Sequence, residues 1–193
     1  MIMKRLLLLA AAALCAASCS TARRAAALRP AAEVPAAAEV QADGMLLISK
    51  ASMQLAVLDR NGVRLRSFPV ACGENLGDKR CEGDRKTPEG LFWVQEIVDT
   101  APWTAAATAS MADPSSYRSP YGPRFIRLFT PPHTGIGIHG TNDDASVGSR
   151  ASAGCVRLHN DDLLALLPYV YIGMPVFITP SASDEAATNA CRE

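Results

Sequence analysis

The sequence has no excess of charge of either sign. Nineteen basic residues face nineteen acidic ones in 193, or about −2 once the leader's Lys4 and Arg5 are removed, so nothing supplies the cationic field that holds a phosphate backbone. Nucleic acid is therefore excluded as an expected partner. No apolar run approaches the roughly 20 residues that cross a bilayer as a helix, the leader's Leu6 to Leu14 being only nine long. Aromatics are 6%, there are no internal repeats, and no paired His/Cys motif has metal-ligand spacing. No metal or cofactor is implied. What is present, 49% hydrophobic and 20% charged residues, fits one globular domain with short appendages.

The first of these appendages names a compartment. Two positive charges, nine apolar residues and the small side chains Ala16-Ala17-Ser18 before Cys19 read as a secretory leader over residues 1–18. A small-residue site ending at a cysteine resembles the bacterial lipobox, although Ala16 stands where leucine is usual. The expectation is a lipoprotein whose Cys19 is lipidated, exported to the cell envelope and facing the periplasm; secretion without lipid is the plainer alternative. Residues 19–43 follow as a lipidated cysteine and linker. Thr21 to Ala42 holds ten alanines, Pro30 and Pro35, a spacer reaching roughly 25 Å.

From Gly44 the pattern changes to short apolar runs. Met45 to Ser49, Met53 to Asp59 and Val63 to Ala71 predict a β-meander, with a type I′ turn at Asn61-Gly62. Leu91 to Ile97, Arg124 to Phe129, Gly135 to His139 and Pro175 to Thr179 are further strands. One helix is predicted, capped by Asn160, with Asp161 and Asp162 in its first turn, an apolar stripe of Leu163, Leu164, Leu166 and Leu167, and its end or a kink at Pro168. Asp99 to Gly122 reads as a long loop, and residues 181–193 as a polar tail. The fold class is mostly β, two packed sheets with one prominent helix.

The chemistry concentrates in two segments. His139-Gly140-Thr141 ends a predicted strand, and sixteen residues after the histidine Cys155 sits within Ser152-Ala153-Gly154-Cys155-Val156-Arg157. Free cysteine ionises near pH 8.5 and attacks as thiolate, so it needs a base. His139 can supply it, while the amides of Gly154 and Cys155 are placed to face an oxyanion. The bland alternative, a buried structural thiol, fits this small-residue loop poorly. His133 and His159 are assigned to solvated positions, with lining of the cleft as the alternative for either, and a zinc site from the three histidines and Cys155 is not supported. Asp84, Arg85 and Lys86 read as a solvated face. Cys72 and Cys81 leave a disulfide open; Cys191 lies unpaired in the tail.

These segments resemble the YkuD-type L,D-transpeptidases, bacterial cysteine enzymes that cross-link peptidoglycan. The histidine-glycine pair and the serine-x-glycine-cysteine-x-arginine loop carry the resemblance. Gly83 to Gly90 around Thr87-Pro88, Tyr121-Gly122-Pro123-Arg124-Phe125 and Ile136 to Thr141 extend it over about Met45 to Pro180. It implies a β-sandwich-like catalytic domain, residues 44–180, with the helix after the cysteine loop. It implies Cys155 as nucleophile, His139 as base and the Gly140 carbonyl as the group orienting the imidazole. Ser152, Gly154 and Arg157 would serve oxyanion and substrate binding, Arg157 by holding a substrate carboxylate or bracing the loop. Tyr117 and Tyr121, with Trp103, would form a lid or pack beneath the loop. The implied partners are peptidoglycan stem peptides, with membrane attachment through lipid on Cys19. Ala153 stands where most members have a second histidine. An L,D-carboxypeptidase using the same dyad and an inactive wall-binding lipoprotein are the alternatives. A papain-like peptidase is disfavoured because there the cysteine precedes the histidine in the chain.

Overall fold

The computed structural model describes residues 44–108 and 119–183. The leader, Cys19, the linker, Tyr117, Cys191 and the tail beyond residue 183 lie outside the described residues.

Among the described residues the strands and main helices are, in chain order, β1 (Met45–Ser49), β2 (Gln54–Leu58), β3 (Arg64–Pro69), β4 (Cys72–Gly73), β5 (Gly90–Asp99), α1 (Ala101–Thr108), β6 (Arg124–Phe129), β7 (Gly137–His139), β8 (Arg150–Ser152), β9 (Val156–Arg157), α2 (Asn160–Leu166) and β10 (Pro175–Thr179). Eight strands form one continuous sheet in the order β3-β2-β1-β10-β5-β6-β7-β9, and β4 pairs with β8 in a second, small one. The mostly β class with one main helix stands, although most of the β structure lies in a single curled sheet.

Alternation builds the core. In β1 and β10 every second residue points inward, so Leu46 and Ile48 meet Val176 and Ile178 in parallel register and all four are fully buried. Burying each such side chain stabilises the fold by about 1.5–3 kcal/mol. Phe92 and Val94 of β5, Ile126 and Leu128 of β6, and Leu163 and Leu166 of α2 complete this core.

The β2–β3 hairpin forms where expected but not with the expected turn. Only Gly62 has a positive φ, +77°, whereas a type I′ turn needs one at both central residues. The Asp59 carboxylate instead accepts the Asn61 and Val63 amides at 2.8 Å each, and the Gly62 amide returns to the Asp59 carbonyl. That Asx-centred turn, with glycine in the left-handed position, is matched by a register shift at Val57/Leu58.

Three other expectations change. The stretch after Asp99 is not all loop: Asp99 Oδ1 accepts the Ala101 amide, Pro102 is tolerated in the first turn, and α1 follows. Helix α2 has no side-chain cap, because Asn160 is used elsewhere. Leu164 is exposed rather than part of the buried stripe. The helix ends at Leu166 in a 3-10 turn, Leu167–Tyr169, that contains Pro168.

Candidate active site

His139 is the last residue of β7, and Cys155 immediately precedes β9. These short strands pair in parallel, Ile138 beside Val156 and His139 beside Arg157, and the Leu158 amide closes on the His139 carbonyl at 2.9 Å. This register draws Cys155 alongside Gly137. His139 and Cys155 line one cleft of about 920 Å³, together with Tyr121, Arg127, His133 and Arg157.

His139 is buried. Its Nδ1–H donates to the Gly140 carbonyl at 2.6 Å, which leaves Nε2 as the basic nitrogen. Burial pushes its pKa down to about 4, assisted by the charge of Arg157 and opposed by the Gly140 bond, so the ring is neutral at pH 7. Cys155 is half-buried and its Sγ–H donates to the Gly135 carbonyl at 3.4 Å. Burial pushes this thiol up, against smaller opposing effects from the Gly137 backbone, Arg157, Lys79 and Arg127. The resting pair is thus neutral thiol and neutral imidazole, without a standing ion pair.

A column of rings walls the imidazole. Phe125 stacks on it at 5.4 Å with 10° between planes, and Tyr121 meets its edge at 5.2 Å. Trp103 of α1 packs on both of those rings. Arg127 lies over the Phe125 ring, 5.4 Å from its centroid. Tyr121 therefore stands against the histidine as a wall as well as at the cleft surface.

The cysteine loop is tied by Ser152. Its hydroxyl donates to the Cys155 carbonyl at 2.5 Å and accepts the Gly154 amide at 3.0 Å. The Gly154 amide is thereby committed inside the loop and does not face the cleft, which corrects the expectation that it joins Cys155 at an oxyanion. Gly154 is required for another reason: at φ +139° its backbone runs against Lys86, whose carbonyl would lie 2.9 Å from any Cβ. Arg157 lines the cleft with a buried Nε that has no hydrogen-bond partner.

Asn160 does not cap α2 but has a different task. Its Oδ1 accepts the Thr141 amide at 3.0 Å and is wedged against Gly140 and Gly122, where a side chain on either would collide with it. This contact seats the turn whose carbonyl holds His139. Its only signal in the sequence is the glycine at both 122 and 140.

The Gly83 to Gly90 block organises a loop, with only Arg85 of its charged trio solvated as expected, paired with Glu74 at the surface. Asp84 pairs with Lys79 at 2.7 Å and accepts the amides of Arg80, Cys81 and Lys86; partial burial opposes its ionisation, yet these donors hold its carboxyl far below the usual range. Thr87 is buried, its Oγ1 accepting the Gly73 amide. Lys50, also buried, donates to the carbonyls of Gly77 and Thr87 and to Glu89 Oε1 at 2.7 Å. No disulfide joins Cys72 to Cys81: Cys81 is an exposed free thiol and Cys72 lies in the core. His133 lines the cleft, against its assignment to solvent, and His159 pairs with Asp144 at the surface. Among the described residues no cluster of potential metal ligands occurs.

Residues 43–178 match the model of the YkuD family, the L,D-transpeptidase catalytic domain. The chain belongs to that family. It is 32% identical over 139 residues to YqjB of Bacillus subtilis strain 168, a protein named as an L,D-transpeptidase, covering 71% of this chain and 72% of that one. Against YcfS of Escherichia coli K12, likewise named, it is 31% identical over 58% of its own length and 36% of the other. Among solved structures it aligns with Bdellovibrio bacteriovorus Bd1075 at TM-score 0.51 and 25% identity, over 80% of this chain and 56% of that one. The Ldtfm–avibactam carbamoyl enzyme, at 0.52 and 18% identity, shares the fold over 72% of this chain and 49% of the other. This YkuD-family chain thus spans about half of those solved proteins.

Proposed function

We propose that this YkuD-family protein is a peptidoglycan L,D-transpeptidase that acts on stem tetrapeptides through a thioester on Cys155. The observation that carries the reading is the pinned tautomer of His139, whose Nδ1–H is held by the Gly140 carbonyl in the same cleft as the Cys155 thiol.

In the first half-reaction Cys155 Sγ attacks the carbonyl of the penultimate, L-configured centre while His139 Nε2 takes the thiol proton. The C–N bond to the terminal D-alanine then breaks, and His139 protonates the leaving amine. The Cys155 amide is the oxyanion donor left in the loop once Gly154 is committed to Ser152. Arg157, with its unpartnered Nε, holds a substrate carboxylate. In the second half-reaction an amine of another stem, or water, resolves the thioester; amine makes the protein a transpeptidase and water a carboxypeptidase. The reading sets this chemistry in the cell envelope with the mature chain tethered by lipid on Cys19, supported by the leader-like pattern of residues 1–18. Loss of labelled palmitate on Cys19→Ala is the outcome that reading requires.

Incubation with a carbapenem followed by intact-mass measurement tests the core of the proposal. A single adduct on Cys155, absent from Cys155→Ala, together with D-alanine release from tetrapeptide muropeptides that His139→Ala abolishes, is expected. A protein that forms no adduct and releases no D-alanine is a wall-binder, and the proposal fails.

A further inference from the structure

Transfer to an amine involves a proton that His139 does not handle. Alkyl amines ionise near pH 10, so the acceptor arrives at neutral pH as an ammonium ion. It must lose one proton to become nucleophilic and a second as the amide forms. His139 carries the second, from the attacking nitrogen to the departing Cys155 sulfur. The first requires another base in the same cleft, whereas water as acceptor has no such requirement.

Among the described residues two imidazoles line the cleft, His139 and His133. His133 stands two residues before Gly135, whose carbonyl accepts the Cys155 thiol at 3.4 Å. Its backbone is fixed by the bridge to Thr130, with its amide on the Thr130 carbonyl at 2.7 Å and its own carbonyl accepting Thr130 Oγ1 at 3.1 Å. Its Nε2–H donates to the Lys79 carbonyl at 3.1 Å, which assigns the lone pair of the neutral ring to Nδ1. Ala153 lines the same cleft with only a methyl group, and the charged groups lining it are Lys79, Glu82, Arg127 and Arg157.

We propose that His133 is the base that deprotonates the incoming ammonium, an inference that rests on the thioester reading above. The acceptor's N–H bond breaks and its proton moves to His133 Nδ1. The neutral amine attacks the thioester carbonyl, the N–C bond forms and the C–S bond breaks. His139 conveys the second proton to sulfur, and His133 returns the first to solvent.

His133→Gln removes the base and keeps a donor for the Lys79 carbonyl. The purified protein and this variant are each given a tetrapeptide donor at pH 7 with one of two acceptors. The first is the amine of a second stem peptide; the other is hydroxylamine, which is already uncharged at that pH. The quantity read is the ratio of transfer product to hydrolysis product. The ratio is expected to fall by roughly a hundredfold or more with the stem amine, the lower end of what a positioned base contributes, and to stay within about twofold with hydroxylamine. An equal fall with both acceptors would show that His133 only shapes the cleft wall, and no fall with either would place the base elsewhere; both overturn the proposal. Absence of D-alanine release and of a carbapenem adduct in the unaltered protein sinks the thioester reading instead, so the two failures are distinguishable.

Discussion

At the scale of single residues, burial shifts the protonation of His139 and Cys155 and has consequences in solution. His139 in the native protein titrates at about 4 against an ordinary value of 6.5, so as pH falls the unfolded chain takes up the proton first. Its neutral burial therefore stabilises the fold fully above about pH 6.5, and that contribution is lost as pH falls toward 4. The loss is up to about 3 kcal/mol. Chemical denaturation at pH 7 and pH 4 should show this decline, and His139→Gln should flatten it; Asp84, held low in the native state, acts only at still lower pH. For Cys155 the sign runs the other way. A thiol pushed up by burial carries less thiolate at pH 7 than free cysteine, so its iodoacetamide alkylation rate should climb past pH 8 without an acidic plateau. An inflection below pH 7 would mean a standing ion pair. Asn160 is the residue whose role was least visible. Asn160→Ala strands the Thr141 amide at a cost of about 1–3 kcal/mol and lets the Gly140 turn shift, so carbapenem acylation should slow by about tenfold. Asn160→Asp retains the acceptor and should recover most of that rate.

Among the elements, regular strands were readable and short ones were not. Arg124–Phe129 and Pro175–Thr179 have the same bounds in the sequence reading and in the structure, because five or six residues alternate or cluster clearly enough to show a buried face. The two-residue strands β4 and β9 have no such pattern, and they exist only through partners far away in sequence. Helix α1 is not legible in the sequence because Pro102 reads as a breaker, although proline is acceptable in a first helical turn. The loop between β4 and β5 depends on Lys50, which spans it from the end of β1 with three hydrogen bonds. Removing one partner of a buried ion pair typically costs about 3–5 kcal/mol. Lys50→Met should accordingly lower Tm by on the order of 10 °C in a domain of this size, measurable by calorimetry.

At the scale of the molecule, the first and last strands of the domain are central neighbours. β1 pairs with β10, and only β2 and β3 lie beyond them on that side of the sheet. A chain covering residues 44–183 should therefore fold with a Tm within a few degrees of the mature protein and react with carbapenem. One that begins at residue 50 should not fold, since it lacks a strand whose Leu46 and Ile48 are fully buried.

The sequence by itself determined the β class and the family, and it singled out Cys155, His139 and Gly140 as the candidate site, because these rest on residue identity and local patterning. Only the tertiary structure decided that β9 lies parallel to β7, which brings Cys155 to the cleft of His139, sixteen positions earlier in the chain. It also decided that Ser152 withdraws the Gly154 amide, that Asn160 braces Gly140, and that His133 faces the cleft. Those outcomes depend on which distant backbone groups remain unsatisfied after the sheet closes, and no local pattern of residues records that.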